Sequence, residues 1–244
     1  MRTEAVLALD VGGGHVTAGM VRRTDDLSGR SVVGEVVRRS IPPDSSGPEL
    51  LTAWAACAMD AVASQSVAAV GIAVPAPFDY DRGVSRAVHK FASLSGVDVG
   101  AGLAQRWSRS PMADAPVVFG NDADLWTLGE AVAGEARGFR RIIGLTLGTG
   151  LGSGFVVEGR IVRSGAEVPP DGELWNVRFG DGIRRPCVWA GRRDGLPPTD
   201  RLRTGRYGHR CGCTVGGRCR ERCAGRAWRR LGRTCRSLGA VVLG

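Results

Sequence analysis

The chain has 244 residues, of which 43% are hydrophobic and 23% are charged. This composition excludes a disordered or fibrous protein and allows one or two domains with a sizeable core. No apolar run reaches the roughly 18 residues that a membrane-spanning helix needs, and the apolar stretch near Met1 is too short for a signal peptide. We therefore expect a cytoplasmic protein with no membrane partner.

Charge and cysteine content divide the chain near Arg184. From Arg184 onward, 16 arginines face three acidic residues, a net charge of +13. Residues 1–183 carry 17 basic and 21 acidic residues, a net charge of −4. Six of the seven cysteines also lie after this point. A mildly acidic body is thus followed by an arginine-, glycine- and cysteine-rich tail over residues 184–244, and the tail is the source of the positive overall charge.

Hydrophobic periodicity predicts alternating strands and helices along the body. In the first half we expect strands at Ala5–Leu9 and His15–Val21, a helix over Pro48–Ser66, a strand at Ala68–Val74 and a helix over Val99–Trp107. The first two strands flank a glycine turn, which predicts a hairpin.

The second half continues the alternation. We expect a strand at Val117–Phe119, a helix over Ala123–Ala136, a strand at Arg141–Leu147 and a hairpin of Phe155–Val157 with Arg160–Val162. Strands that alternate with helices predict an α/β fold.

A first candidate site follows the first strand, at Asp10-Val11-Gly12-Gly13-Gly14. A glycine turn between strands lets backbone N–H groups approach an anion closely, so a phosphate fits there. The Asp10 carboxylate at the strand end is a suitable ligand for Mg²⁺, usually through water. The alternative is a plain glycine-rich hairpin turn, because short glycine motifs have low specificity.

A second glycine-rich segment, Gly148–Gly154, also follows an apolar strand. It could hold another phosphate, with the Thr149 hydroxyl as a donor, or it could be a tight turn. Two such segments after two strands are more specific than either one. They indicate a nucleotide held between two similar lobes.

A third candidate is Asn121-Asp122, at a strand-to-helix junction. A carboxylate there lies at the carboxyl end of a strand, where α/β sheets place their ligands. It is ionised near neutral pH and could accept a proton from an alcohol that attacks a phosphoryl group. The alternative is that the pair only caps the helix.

Taken together, these residues resemble the ROK family (repressors, open reading frames, sugar kinases) of the actin-like ATPase superfamily. Six segments match in the family's order: Leu7–Gly13, Gly71–Asp79, His89–Phe91, Asn121–Ala123, Gly148–Gly154 and Gly172–Leu174. The resemblance implies two actin-like (ribonuclease H-like) α/β lobes around a cleft for a sugar and for ATP with Mg²⁺. The implied reaction is phosphoryl transfer to a hexose hydroxyl.

The same resemblance implies roles for single residues. Asp122 is the catalytic base, and Asn121 and Glu173 contact the sugar. The first phosphate loop contains Asp10, Gly12 and Gly13, and the second contains Gly148, Thr149 and Gly150. The implied boundaries are a first lobe over residues 1–120, the start of a second lobe over 121–183 and the tail over 184–244, so that the second lobe is incomplete.

The sequence departs from the family at two of these motifs. Family kinases follow the two glycines with Thr and Lys, whereas this chain has Gly14 and His15, so a hydroxyl contact to the γ-phosphate is missing. After Gly-Glu-Leu the family often has Gly-His, whose His touches the sugar and a structural zinc. Here Trp175 and Asn176 stand instead, so that role is not carried over, no metal-ligand set is assigned and the sugar is not specified.

The departure at Gly14 leaves a second hypothesis open, a non-catalytic sugar-binding regulator remnant or pseudokinase. The family's regulators carry a DNA-binding helix-turn-helix before the first phosphate strand, and this sequence begins at that strand. We therefore expect a small-molecule sugar and no nucleic acid as partner. The sequence leaves open whether the chain forms a homo-oligomer.

The tail allows four interpretations. His209 and four nearby cysteines could bind zinc, although their spacing lacks paired C-x₂-C units. A disulfide module fits poorly with a cytoplasmic body, and the charge alone would permit a nucleic-acid-binding arm. We favour a reading frame that is shifted beyond Ile183. The body has 16 arginines and one lysine, Lys90, which indicates GC-rich coding, and out-of-frame translation of such DNA yields the Arg, Gly, Cys, Pro and Trp found here.

Overall fold

The computed structural model describes residues 5–23, 31–42, 44–88, 91–147, 151–166, 168–174 and 240–243. The strands within these ranges are β1 (Ala5–Gly12), β2 (His15–Arg23), β3 (Ser31–Ser40), β4 (Ala69–Val74), β5 (Phe78–Asp79), β6 (Val84–Ser85), β7 (Val117–Asn121), β8 (Arg141–Leu147), β9 (Leu151–Val157), β10 (Arg160–Ile161) and β11 (Ala240–Leu243). The α-helices are α1 (Gly47–Val62), α2 (Val99–Trp107) and α3 (Asp122–Ala133).

The first sheet has the strand order β3-β2-β1-β4-β7. β1 to β3 are antiparallel neighbours, while β4 is parallel to β1 and β7 is parallel to β4. Alternate residues of β1, namely Leu7, Leu9 and Val11, are buried in the main core. α1 packs against β1, β2 and β3, and α2 packs against α1. These two helices add the fully buried Trp54 and Trp107 to the core.

The parallel strands bring two of the candidate sites, Asp10–Gly14 and Asn121-Asp122, to one edge of this sheet. Asp10 of β1 is opposite Ala73 of β4, and Val74 of β4 is opposite Asn121 of β7. The carboxyl ends of β1, β4 and β7 are therefore adjacent. In α/β sheets this edge is where ligands bind.

The second sheet has the strand order β10-β9-β8-β11, with all neighbours antiparallel. Its first three strands repeat the arrangement of β1, β2 and β3. The next strand differs, because β4 is parallel to β1 whereas β11 is antiparallel to β8. Residues 240–243 of the predicted tail thus form the edge of this sheet.

Helix α3 connects the two sheets and packs closely on β8 and β9. The close approach depends on glycines in these strands. A Cβ on Gly154 would lie 2.7 Å from the Ala123 carbonyl oxygen and 2.9 Å from the Asp124 Cα, and a Cβ on Gly144 would collide with Thr127. Because these glycines carry no side chain, the start of α3 lies directly against the backbone of the sheet.

The structure confirms the expected α/β fold and the β1–β2 hairpin. One expectation needs correction, and one strand has no counterpart among the expectations. Leu151–Gly154, predicted within a loop, is part of strand β9, because glycine in a strand admits the backbone of α3. Strand β3 was not predicted. None of the helices in the described ranges is long and apolar enough to cross a membrane.

Replacing Gly154 by Ala is expected to lower the free energy of unfolding by about 1–3 kcal/mol, the usual cost of overpacking a tight contact. The methyl group would meet backbone atoms of α3, which cannot rotate away as a flexible side chain can. Urea unfolding followed by tryptophan fluorescence measures the loss. Gly71→Ala is the matched control, since Gly71 also lies in a strand and a Cβ there meets nothing within 4 Å. Equal unfolding energies for the two variants would contradict the packing role of Gly154.

Candidate functional site

Asn121 and Asp122 lie where β7 ends and α3 begins. Asn121 is the N-cap of α3, and its Oδ1 accepts a hydrogen bond from the Asp124 backbone N–H at 3.0 Å. Asp122 is the first helical residue, and its Oδ1 accepts from the Ala123 backbone N–H at 2.9 Å. Unpaired N–H groups and the macrodipole make a helix N-terminus favourable for a carboxylate. The cap interpretation is therefore correct for Asn121, and it leaves Asp122 half-buried beside it.

Tyr80 connects this junction to the first sheet. Its hydroxyl donates to the Val74 carbonyl oxygen at 3.2 Å and accepts from Asn121 Nδ2 at 3.3 Å. Burial raises the pKa of Tyr80 well above its usual value, and the negative charges of Asp122 and Glu173 raise it further. Tyr80 is therefore a neutral hydrogen-bonding group, and both carboxylates are within electrostatic reach of it.

Glu173 is brought to this region by a short 3-10 turn, Pro170–Gly172. Ser153 of β9 holds the turn on both sides. Its hydroxyl donates to the Gly172 carbonyl oxygen at 2.6 Å and accepts from the Leu174 backbone N–H at 2.9 Å. The serine of the second glycine-rich segment thus positions Glu173 rather than a phosphate.

An ion pair between Arg163 and Asp124 lies beside the junction of β7 and α3. Arg163, just after β10, donates from Nε to Asp124 Oδ2 at 2.7 Å. The Asp124 side chain is 3% exposed and that of Arg163 is 40% exposed. The Arg163 guanidinium also lies over the Tyr80 ring, 5.1 Å from the ring centre to the guanidinium carbon. Burial raises the pKa of Asp124, and the hydrogen bond and charge of Arg163 partly offset that shift.

The raised pKa of Asp124 predicts a specific pH dependence of stability. Because the folded state holds the Asp124 proton more tightly than the unfolded state, whose pKa is about 3.9, the carboxyl group stabilises the fold most at low pH. Its contribution falls as the pH rises from that value through the higher folded-state pKa. Urea unfolding of the wild type and of Asp124→Asn between pH 4 and 7 measures this, since other titrations cancel in the difference. The free energy of unfolding of the wild type minus that of Asp124→Asn should fall as the pH rises. If this quantity rises with pH, the raised pKa is contradicted.

The first glycine motif forms the tight end of the β1–β2 hairpin. Gly12 is opposite His15, and Gly13 and Gly14 make an exposed two-residue turn. The His15 ring lies directly over Gly12, since a Cβ there would be 2.8 Å from His15 Cε1. Asp10 is exposed at the same strand end. The turn therefore has room for an anion at Gly13 and Gly14, while a side chain at position 12 would displace the imidazole.

The structure places Asn121 in hydrogen-bond contact with Tyr80 and brings Asp122 and Glu173 within electrostatic reach of that ring. It places Asp10, Gly12 and Gly13 at the same edge of the first sheet. Gly148, Thr149 and Gly150 lie outside the described residues, as do the tail cysteines. Sequence reasoning missed the supporting residues Tyr80, Asp124, Ser153 and Arg163. Asp124 had a signal, the Asn-x-x-Asp spacing of an N-cap and the third helical residue. Within the described ranges no group of three His, Cys, Asp or Glu residues could hold a metal ion.

Comparisons with known proteins agree with this architecture. A glucokinase from Thermotoga maritima is 27% identical over 180 residues, covering 70% of this chain and 53% of that protein. The crystal structure of a ROK family glucokinase from Streptomyces griseus, in complex with glucose and AMPPNP, is 26% identical with a TM-score of 0.54, covering 68% of this chain and 49% of that one. A ROK hexokinase from Thermus thermophilus is 28% identical with a TM-score of 0.53, covering 72% and 53%.

These likenesses confirm the two actin-like lobes expected from the sequence. The chain spans about half the length of the relatives it matches. A model of the ROK family matches residues 6–237, a range that continues past Leu174, where the quoted motifs end, and past Arg184, where the tail begins. Because that match covers most of the sequence, the chain belongs to the ROK family.

Proposed function

We propose that this chain carries the site of an ATP-dependent sugar kinase of the ROK type, which transfers the γ-phosphoryl group of ATP to a hexose hydroxyl with Asp122 as the base once the second lobe is complete. The observation that supports this most strongly is the hydrogen bond of Asn121 to Tyr80 at the carboxyl end of β7, with Asp122 next to it in the chain and Glu173 within electrostatic reach of Tyr80. The glycine hairpin of β1 and β2 lies at the same edge of the sheet. A sugar site and a phosphate site are thereby adjacent.

The proposed chemistry is a single displacement. Asp122 accepts the proton of the sugar hydroxyl, the hydroxyl oxygen forms a bond to the γ-phosphorus, and the bond from that phosphorus to the bridging oxygen of ADP breaks. Asn121 has one amide hydrogen on Tyr80 and a second hydrogen for a sugar oxygen. Glu173 accepts from another sugar hydroxyl.

ATP and Mg²⁺ are part of this proposal. Asp10 has the hard oxygen donors that Mg²⁺ prefers, and its exposure at the strand end fits an ion held mainly by water and phosphate. Mg²⁺ would neutralise charge on the transferred group. Gly12 and Gly13 would contact phosphate through the backbone, and the predicted contacts of Gly148, Thr149 and Gly150 belong to the same proposal.

A second candidate function is sugar binding without catalysis, as in a regulator remnant or pseudokinase. Gly14 supports it, because it replaces the threonine whose hydroxyl would contact the γ-phosphate. The two candidates differ in one measurable property. Both predict sugar binding, and only the kinase predicts ADP release that depends on the sugar once the reading frame is corrected after Ile183. The cytoplasmic location and the absence of a nucleic-acid partner stay predictions.

Sugar binding at this site is tested by replacing Glu173 with Gln. Hydrogen bonds to a charged group contribute about 1.5–3 kcal/mol, so the dissociation constant should rise roughly tenfold or more. Calorimetric titration with glucose, mannose, fructose and galactose measures it on the 244-residue chain. Glu135→Gln, an exposed carboxylate after α3, is the control and should bind like the wild type. If Glu173→Gln binds each sugar as tightly as Glu135→Gln does, Glu173 does not contact the sugar.

A further inference from the structure

Four residues form a closed ring of contacts beside Asp122. Asn121 donates to Tyr80, the Tyr80 ring lies under the Arg163 guanidinium, Arg163 binds Asp124, and the Asp124 backbone donates back to Asn121. The ring joins three distant parts of the chain: the turn between β5 and β6, the start of α3 and the segment after β10. It therefore connects both sheets at the point where Asp122 begins its helix.

We infer that Arg163 is a positioning residue, which holds the Asn121-Asp122 junction by binding Asp124 on one side and Tyr80 on the other. This inference rests on the proposed function in that Asp122 is the group whose position matters. Arg163 itself does not react. Its role is to fix the hydrogen bond between Tyr80 and Asn121, and through Asn121 the first turn of α3.

The chemistry of arginine suits both contacts at once. A planar guanidinium can donate from Nε to a carboxylate while its face lies on an aromatic ring, whereas a lysine ammonium is a point charge on a flexible stem. The carboxylate of Asp124 is buried, and its second oxygen has no hydrogen-bond partner in the described part of the chain. Arg163 is the cation that compensates this buried charge.

A residue that only neutralises a buried charge can be distinguished from one that positions the junction. Removing Arg163 alone leaves the Asp124 carboxylate without its cation, which destabilises a fold strongly. If Asp124 is also made neutral, that penalty disappears. The contact of Arg163 with Tyr80 is still missing in the double variant. In the double variant the stability should therefore recover, while the position of the Asn121 side chain should remain changed.

The experiment uses the full chain without sugar or ATP, as Arg163→Met, Arg163→Lys, Asp124→Asn and the double variant Arg163→Met with Asp124→Asn. Urea unfolding reports stability, and NMR reports the side-chain amide of Asn121 and the backbone amides of residues 121–124. Tyr80→Phe serves as the reference, because it removes the hydroxyl that binds Asn121 and shows how far the Asn121 resonance moves when that contact is lost.

We expect Arg163→Met to lower the urea midpoint and the double variant to recover most of that loss. The Asn121 side-chain resonance should remain displaced by more than its line width in both, and in Arg163→Lys. Recovery of the wild-type resonance together with stability in the double variant would overturn the inference, as would a wild-type resonance in Arg163→Met. If a chain with the reading frame corrected after Ile183 releases no ADP with any sugar, that contradicts the role of Asp122 and not these shifts, so the two failures are distinguishable.

Discussion

In a chain whose reading frame is corrected after Ile183, replacing Asp122 by Asn is expected to lower the rate of sugar phosphorylation by roughly 10²- to 10⁴-fold, the usual contribution of a general base. The affinity for the sugar should change little, because Asn121 and Glu173 remain. The fold should also persist, since the Asn side-chain oxygen can still accept from the Ala123 backbone N–H that Asp122 binds. Sugar-dependent ADP release measures the rate, and calorimetry measures the affinity.

Asp98→Asn is the matched control for Asp122→Asn. Asp98 is the N-cap of α2 and accepts from the Ala101 backbone N–H at 2.8 Å, so it is also a carboxylate at a helix N-terminus. It lies outside the candidate site, and its variant should turn over at the wild-type rate. Turnover by Asp122→Asn within a few-fold of wild type would reduce Asp122 to a structural role at the helix end.

Correcting the reading frame after Ile183 is the second change with a large expected effect. In the first sheet β4 runs parallel to β1, whereas the corresponding neighbour of β8 is β11, a tail strand that runs antiparallel. A chain in the corrected frame should supply a parallel strand and covering helices for the second sheet. We expect it to release ADP in the presence of a hexose, while the 244-residue chain binds the sugar without turnover.

The family match through residue 237 argues for a native tail, so the comparison of the two chains is decisive. Both are expressed in parallel and assayed for sugar-dependent ADP release. The corrected chain with Asp122→Asn is the control that links any new activity to this site. If the 244-residue chain already turns over at the rate of the corrected chain, the shifted-frame interpretation is wrong and the tail is native structure.

Elements with a strong local pattern were predictable from the sequence. Helix α2 and strand β8 have the limits that periodicity predicts, Val99–Trp107 and Arg141–Leu147. Strand β3 was not predicted because its apolar residues occur in adjacent pairs, Val32-Val33 and Val36-Val37, rather than in alternation. Pairing with β2 stabilises this strand, which its own sequence does not specify.

The candidate site likewise contains some residues that the sequence predicted and others that it did not. Asn121 and Asp122 stand out because a polar pair follows an apolar strand, and Glu173 was found through a family motif. Tyr80 and Arg163 reach the site across 41 and 39 residues of sequence, to Asn121 and Asp124, and no local pattern marks such contacts. The residues proposed to react were therefore accessible from the sequence, while those that hold them required the fold.

Direct detection of the product is the measurement that tests the kinase assignment most closely. The frame-corrected chain is incubated with ATP, Mg²⁺ and each hexose, and phosphorus NMR is used to follow ATP, ADP and any sugar phosphate. The account predicts a sugar phosphate that accumulates in equal amount with ADP, and that forms roughly 10²- to 10⁴-fold more slowly in the corrected chain with Asp122→Asn. Sugar binding with no sugar phosphate in the corrected chain would contradict the kinase and favour the non-catalytic sugar-binding protein.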